Sequence, residues 1–189
     1  ACPEVAGLVA LNGCPDADED GIADGDDECS EEAGPAENNG CPWPDSDNDG
    51  VADKDDDCPE LAGTTENGCP ELTDEILSTI NQVGSSILFP ANGSKIMGGD
   101  SINAVAEIKG ILDQNPIGII VIQGHASSDG NEDYNQKLSL LRAESIRDEL
   151  VGLGVDASRL EVVAMGSSKP LNGDASNRAK NRRVEFYKK

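Results

Sequence analysis

The sequence predicts an irregular acidic arm followed by an α/β (α+β) two-layer sandwich over a mixed sheet. The charge divides the chain, because residues 1–75 hold 24 of its 37 acidic residues and only Lys54 of its 14 basic ones. This stretch therefore carries the whole formal net charge of −23, and it also holds all six cysteines. After Ser85 the apolar residues follow helix and strand periods in alternation. Two compositions this different, joined end to end, indicate two structural units.

The composition also restricts the compartment and the partners. A strongly acidic chain repels phosphate, so we expect no nucleic-acid partner. An even number of cysteines confined to a polar stretch indicates a disulfide framework, formed in an oxidising compartment such as the periplasm. No apolar run approaches the roughly 20 residues that span a bilayer. The chain has no initiator Met and no signal-peptide pattern, which is typical of a mature protein or of a piece of a longer one.

The arm contains three copies of a segment that begins and ends with Cys. Each copy has Ala-Gly near its start and Asn-Gly directly before its last Cys. A repeat of this length indicates an array whose units contact mainly their neighbours. Spacing alone leaves the connectivity of six cysteines open. The repeat favours pairing within each copy, Cys2 with Cys14, Cys29 with Cys41 and Cys58 with Cys69.

Two Asp-rich loops, 16–27 and 45–56, separate these copies and share one pattern of oxygen donors. Carboxylates stand at positions 1, 3, 5, 9 and 12, Gly stands at position 6, and the residue at position 7 offers its carbonyl. Ca²⁺ accepts about six to eight such oxygens. Crowded carboxylates repel one another without a cation, so metal binding and folding should be linked. The predicted ligands are Asp16, Asp18, Asp20, Ile22, Asp24 and Asp27 in the first loop and Asp45, Asp47, Asp49, Val51, Asp53 and Asp56 in the second.

Two other interpretations of these loops are weaker. A disordered acidic tract does not demand the same spacing twice. An EF-hand ends in Glu at position 12, whereas these loops end in Asp27 and Asp56 and lack amphipathic helices beside them. The arrangement over residues 1–72 resembles thrombospondin type 3 repeats. The resemblance implies a semi-rigid spacer wrapped around calcium, with almost no secondary structure and with carboxylates left over for a second ion per repeat.

The rest of the chain predicts the element order β-α-β-α-β-β. A linker or short helix over 73–84 leads into a domain over 85–189. We expect Asp100 or Ser101 to cap the first helix. The predicted strands are 87–89, 117–122, 160–164 and 183–187. The second helix covers 133–153, with Leu138, Leu141, Ile146, Leu150 and Leu153 facing inward.

A polar stripe marks the start of this second helix. Asn135, Ser139 and Arg142 stand at i, i+4 and i+7, so they share one side of the helix beside its apolar face. An Arg near backbone N–H groups and a helix N-terminus is well placed to hold a carboxylate. From spacing alone, the same stripe is more typical of a solvated helix face.

The residues around the stripe carry a second resemblance. The segment Asn135-Gln-Lys-Leu-Ser-Leu-Leu-Arg142-Ala matches the N-x-x-L-S-x-x-R-A signature of OmpA-like peptidoglycan-binding domains. Gly-His at 124–125, the segment 177–185 and Phe-Pro-Ala-Asn at 89–92 also match, in the expected order. The resemblance implies that Arg142 holds a carboxylate of diaminopimelate on the wall peptide. It further implies that Asn135, Asn92 and Arg182 line the same pocket.

One departure from the family bears on this pocket. Members commonly read Gly-His-Thr-Asp, and their Asp grips the diaminopimelate ammonium, whereas this chain has Ala126 and Ser127 there. Ser127 can accept a hydrogen bond, and Asp129 is a candidate replacement for the missing charge. His125 is interpreted as a structural residue at a strand end, because no nucleophile motif and no set of metal ligands accompanies it.

The predicted function is therefore non-catalytic binding of peptidoglycan, with the calcium-stiffened arm as spacer. The family implies that an upstream segment connects the arm to the outer membrane, so the expected location is the periplasm and the cell outer membrane. The alternative is a calcium-dependent adhesion or interaction module whose OmpA-like domain serves only as scaffold.

Overall fold

The computed structural model describes residues 2, 7–171 and 177–189. The chain forms two compact units, Ala1–Cys69 and Pro70–Lys189. Among the described residues, every helix is too short or too polar to cross a bilayer.

The first unit is irregular. Its described helical segments are two single 3-10 turns, Val9–Leu11 and Ala36–Asn38. Each turn ends at an Asn with φ of 57°, and a Gly with positive φ follows it. This left-handed backbone is accessible to Asn and Gly, which explains the Asn-Gly step of the first two copies. The disulfides join Cys2 to Cys14, Cys29 to Cys41 and Cys58 to Cys69, which is the pairing that the repeat predicts.

The second unit alternates helices and strands around a small mixed sheet. Strand β1 lies in the centre, parallel to β2 and antiparallel to β3. The predicted α/β two-layer sandwich with a mixed sheet is confirmed. The elements are α1 (Asp74–Gly84), α2 (Gly98–Asp113), β1 (Ile120–Gly124), α3 (Glu132–Gly152), β2 (Leu160–Ala164), α4 (Arg178–Asn181) and β3 (Val184–Lys188).

The core lies on one face of this sheet. Helix α3 packs against β1 and β2, while α1 packs against α2 and β3. Alternate residues of β1 and β3 point into the core, and α1 contributes buried residues of its own. The largest fully buried apolar side chains are Leu72, Ile80, Ile87, Ile108, Leu112, Ile120, Ile122, Ile146, Leu150 and Phe186.

The first predicted strand, 87–89, is not a strand of the sheet. It makes one isolated antiparallel bridge, between Leu88 and Met97. The segment does not continue as a strand, because the chain turns back after Pro90, which has no N–H to donate. The side-chain amide of Asn81 forms hydrogen bonds with the edge of β3 instead. This amide donates to the carbonyl of Phe186 and accepts from its N–H, at 2.8 Å each.

Other boundaries shift by a few residues. Strand β1 begins at Ile120 rather than at Ile117, because Gly118 has a φ of 113° that breaks the extended backbone. Helix α2 begins at Gly98 after Met97, without a side-chain cap, so the predicted cap at Asp100 or Ser101 is wrong. The hydroxyl of Ser101 instead accepts the N–H of Leu88 at 3.0 Å.

The inward face of α3 is more polar than predicted. Leu141 and Leu153 are exposed, although Leu138, Ile146 and Leu150 are buried as expected. The polar stripe lies inside, because Asn135, Ser139 and Arg142 are all among the buried residues.

Candidate functional site

Arg142 is the largest fully buried side chain of the described residues. Its Nε donates to the carbonyl of Gly93 at 3.1 Å, and its Nη1 donates to that of His125 at 3.1 Å. Its Nη2 donates to the carbonyls of Pro90 at 2.8 Å and Ala91 at 3.2 Å. Four neutral carbonyls therefore fix the guanidinium between the 90–93 turn and the end of β1.

The positive charge of Arg142 has no counter-ion among the residues that the structure describes. A second cation, Arg182, is close enough to influence it, and the Nε of Arg182 donates to the carbonyl of Phe89 at 3.4 Å. Burial, together with the charge of Arg182, lowers the pKa of Arg142 to about 10, so the side chain remains protonated at neutral pH. A buried cation paired only with neutral dipoles favours the approach of an anion.

Two polar side chains that are predicted to line the pocket have no hydrogen-bond partner among the described residues. Asn135 and Ser127 are 3% and 8% exposed, and neither side chain forms a hydrogen bond with the described residues. The carboxamide oxygen of Asn135 lies beside Gly130, 3.9 Å from the position of a Cβ there. Neither contributes a fully buried unpaired polar atom, so their polar atoms keep a small opening to solvent through which a water or a ligand can bind.

The remaining predicted pocket residues are placed differently. Asp129 is exposed and pairs with Arg178 at 3.1 Å, so its carboxylate is already engaged. Asn92 is exposed at the 90–93 turn. Ala126 is buried, and its N–H donates to the carbonyl of Gly166 at 2.8 Å.

The guanidinium of Arg142 is closed off from solvent in this structure. A ligand carboxylate can contact the guanidinium only if the 90–93 turn moves and breaks at least one of these hydrogen bonds. A rigid site in this conformation would therefore not bind the ligand directly. Sequence reasoning missed the role of this turn. The motif at 89–92 suggested the side chain of Asn92, whereas the contacts to Arg142 come from backbone carbonyls that residue identity does not reveal.

Two small residues, Gly124 and Ser139, hold α3 against the sheet at this point. A Cβ on Gly124 would lie 1.9 Å from the carbonyl oxygen of Ser139, so only Gly permits this approach. The hydroxyl of Ser139 accepts the N–H of Gly166 at 2.9 Å. Gly124 and Ser139 therefore position the helix, and Arg142 with it.

His125 directly follows β1 and is 1% exposed. Its Nε2 lies 3.3 Å from the Oε2 of Glu185. Burial, reinforced by the charge of Arg183, lowers the pKa of His125 to about 4, although Glu185 opposes the shift. The imidazole is therefore neutral at physiological pH.

The Asp-rich loops bring their first three carboxylates together. Donor oxygens at positions 1, 3 and 5 lie within 4.8 Å of one another in each loop. The unpaired buried oxygens are Asp16 Oδ1, Asp18 Oδ2, Asp47 Oδ2 and Asp56 Oδ2. Burial raises the pKa of Asp18 and of Asp47, and neighbouring carboxylates add to the effect. Crowded oxygens without donors are the environment that a hard cation satisfies.

The other predicted ligands have different contacts. At position 9, Asp24 accepts the N–H of Ala17 and Asp53 accepts that of Ser46, at 2.8 and 2.7 Å. At position 7, Ile22 and Val51 each donate an N–H, at 2.8 Å, to the position-5 carboxylate. These bonds fold each loop upon itself.

Each loop is also hydrogen-bonded to the Cys-to-Cys segment that follows it. Asp20 accepts the N–H of Gly34 at 3.1 Å, and Asp49 accepts that of Gly63 at 2.9 Å. At position 12, Asp27 and Asp56 lie against Gly40 and Gly68, where a Cβ would come within 2.0 and 2.1 Å of their Oδ1 atoms. The same contacts recur in both loops, so each loop is structurally linked to the Cys-to-Cys segment that follows it.

Comparison with known proteins identifies the second unit. The sequence model described as "OmpA family" matches residues 88–183, just over half of the chain. Outer membrane porin F of Pseudomonas aeruginosa is 39% identical over 178 residues, covering 91% of this chain and 41% of the porin. Peptidoglycan-binding protein ArfA of Mycobacterium tuberculosis is 35% identical over 117 residues, covering 59% of this chain and 35% of that protein.

A solved structure supports the same assignment. The peptidoglycan-associated lipoprotein of Burkholderia pseudomallei superposes with a TM-score of 0.50 at 28% identity, covering 55% of this chain and 88% of that one. The chain spans less than half the length of the porin that it matches. The porin is named as an outer-membrane protein, and the predicted location, the periplasm and the cell outer membrane, is confirmed. The chain belongs to the OmpA family.

Proposed function

We propose that the second unit binds the stem peptide of peptidoglycan and performs no catalysis. Two relatives bear names that state peptidoglycan binding or association, and the pocket suits an acidic peptide. The observation that carries the proposal is the buried positive charge of Arg142, with Arg182 nearby and neutral carbonyls as partners. A ligand carboxylate supplies the missing negative charge.

The proposed contacts divide between charged and neutral groups. Arg142 and Arg182 attract a carboxylate of diaminopimelate, while Asn135 and Ser127 offer unpaired polar atoms beside it. The family Asp that meets the diaminopimelate ammonium is missing, and Asp129 is engaged by Arg178. The ammonium therefore meets the hydroxyl of Ser127 and loop carbonyls, which hold it less tightly than a carboxylate does.

The test is a calorimetric titration of the chain with a soluble muropeptide that contains diaminopimelate. Arg142→Ala and Arg182→Ala should each lower the affinity at least tenfold, while Arg147→Ala should leave it unchanged. Arg147 lies on the same helix but pairs with its neighbour Asp148. Amide NMR spectra show whether each variant remains folded.

A second candidate function is a calcium-dependent interaction module in which the OmpA-like domain is scaffold only. The enclosure of Arg142 by the 90–93 turn favours it, because a purely structural arginine would show the same four hydrogen bonds. Absence of muropeptide binding by the folded wild-type chain would select this alternative.

For the first unit we propose calcium binding in a spacer like thrombospondin type 3 repeats. The unpaired oxygens of Asp16, Asp18, Asp47 and Asp56 support it, as do the matching contacts of the two loops. Ca²⁺ would supply the positive charge that these carboxylates lack. The spacer would set the distance between the wall contact and an upstream segment at the outer membrane.

Calcium titration monitored by calorimetry tests this part. Asp18→Asn and Asp47→Asn should each remove binding at one loop, because each deletes a charge among crowded donors. Glu37→Gln is the matched control, since Glu37 is an exposed carboxylate of the same arm outside both loops. Equal loss of binding in the control would indicate nonspecific attraction to the acidic arm.

A further inference from the structure

A cavity of about 510 Å³ lies in the second unit, apart from the residues proposed to hold the stem peptide. It lies where the end of α1, the short α4 and the edge strand β3 meet. Its volume falls within the range of about 300 to 1,000 Å³ that small-molecule sites occupy. Its wall includes Leu171, Lys180, Arg183, Val184, Glu185 and Tyr187.

One wall of the cavity is a fixed charged network. Glu185 accepts a hydrogen bond from the Nε of Arg183 at 2.7 Å through one carboxylate oxygen. Its other oxygen accepts the phenol of Tyr187 at 2.8 Å. Burial opposes ionisation of Glu185, but these two donors and the charge of Arg183 lower its pKa. The carboxylate is therefore ionised, neutralised by Arg183 and unavailable to a cationic ligand.

The lining also includes a cation that has no partner among the described residues. Lys180 on α4 is exposed and forms no ion pair or hydrogen bond with the described residues. With Arg183 and Glu185 cancelling, Lys180 gives the cavity one excess positive charge. Leu171 and the largely buried Val184 add apolar atoms to the lining. Charge and apolar wall together fit an acid group attached to an apolar body.

The cavity does not suit an added β-strand. Asn81 already occupies both backbone groups of Phe186 on the outer edge of β3. An incoming strand would have to displace these two bonds before it paired with the edge. A small molecule that enters beside β3 leaves them intact.

We propose that this cavity is a second ligand pocket, which binds a small carboxylate with an apolar body, and that Lys180 is the partner of the carboxylate. The pocket is independent of Arg142, so it stands whether or not the second unit binds a stem peptide. It assigns a binding role to α4, the short helix that precedes β3.

The test is an NMR titration of the whole ¹⁵N-labelled chain with N-acetylleucine and, as matched neutral probe, with N-acetylleucinamide. The acid should shift the amide signals of Leu171 and Tyr187 in a saturable way. The amide should bind about fivefold more weakly, which is the size of a partly exposed ion pair. Equal affinity for the two probes, or no saturable shift at millimolar concentration, overturns the proposal.

Two variants and one control sharpen the result. Lys180→Gln should reduce affinity for the acid to that for the amide, and Leu171→Glu should abolish binding of the acid by adding a negative charge to the wall. Lys95→Gln removes an exposed lysine elsewhere in the same unit and should change nothing. If Lys180→Gln binds the acid as the wild type does, the assigned role of Lys180 is wrong.

Discussion

Arg142 connects three segments that are distant in the chain: helix α3, the 90–93 turn and the end of β1. A planar guanidinium offers five N–H groups, so one side chain satisfies four carbonyls at once. The same side chain carries a charge that no described residue neutralises. Its structural and binding roles therefore depend on different properties, geometry for the first and charge for the second.

Arg142→Lys separates these roles. Lysine keeps the charge, but its three N–H groups extend from a single atom, so we expect it to reach no more than two of the four carbonyls. We expect the free energy of unfolding to fall by about 2 kcal/mol, at about 1 kcal/mol for each lost bond. Affinity for the muropeptide should fall less than in Arg142→Ala. Urea denaturation and calorimetry measure the two effects, and an undiminished stability would show that the four bonds contribute little.

His125 makes stability depend on pH. Its pKa is lowered from 6.5 to about 4 in the folded chain, so the unfolded chain binds the proton more tightly. The contribution of the neutral imidazole is fully present above pH 6.5 and is lost as pH falls toward 4. The shift corresponds to about 3 kcal/mol between these limits. Urea denaturation at a series of pH values should show this decline.

The control for this effect is His125→Gln. This variant is neutral at all pH values, so its stability should not fall between pH 6.5 and 4.5 beyond the carboxylate contribution that both proteins share. Glu185 titrates below this window, because its pKa is lowered from 4.5. Parallel curves for wild type and variant would contradict the assigned pKa of His125.

At the scale of elements, local pattern predicted most of the second unit. Strand β2 has the predicted bounds, and α3 begins one residue earlier than expected, because alternating and helical apolar periods are local properties. The short apolar run at 87–89 could not be assigned in this way. The turn after Pro90 limits its length, and the edge of β3 is occupied by the side-chain amide of Asn81, a contact across 105 residues.

The site was predictable to a similar degree. The motif placed Arg142 and Asn135 together, but polarity suggested the edge of the core, whereas both are buried. Their burial depends on backbone carbonyls from the 90–93 turn and on the close approach that Gly124 permits. Neither feature leaves a periodic signal in the sequence.

The arm offers an element-scale prediction at the contact between the second Asp-rich loop and the Cys-to-Cys segment that follows it. Gly68 is buried with a φ of 75°, and a Cβ there would lie 2.1 Å from Asp56. Gly68→Ala should displace Asp56 and strain the backbone, at a cost of about 1 kcal/mol or more. Calcium affinity of the second loop should fall, while that of the first stays unchanged.

Gly25→Ala is the matched control for this prediction. A Cβ on Gly25 meets nothing within 4 Å, and its φ lies outside the left-handed region. Calcium titration of both variants measures the difference. If Gly25→Ala and Gly68→Ala weaken calcium binding equally, the proposed coupling between Asp56 and the copy behind it is wrong.

At the scale of the whole molecule, the two units are stabilised by different interactions. The second unit has a continuous apolar core that involves all three of its strands. The first unit has three disulfides, a surplus of carboxylates and little regular structure. Cross-links reduce the entropy of its unfolded chain, but they leave the repulsion between carboxylates in place. Calcium and the disulfides should therefore act on the first unit alone.

Removal of calcium tests this division. Chelation with EDTA should move the amide NMR signals of the first unit toward random-coil positions and narrow their dispersion, because repulsion between crowded carboxylates is no longer offset. Signals from residues 70–189 should keep their positions, and small-angle scattering should show a larger radius of gyration. Reduction of the disulfides should add to the expansion, since closed loops limit how far the chain can spread. A scattering profile and first-unit spectrum that chelation leaves unchanged would show that the arm holds its structure without metal, and loss of second-unit signals would show that the units fold together.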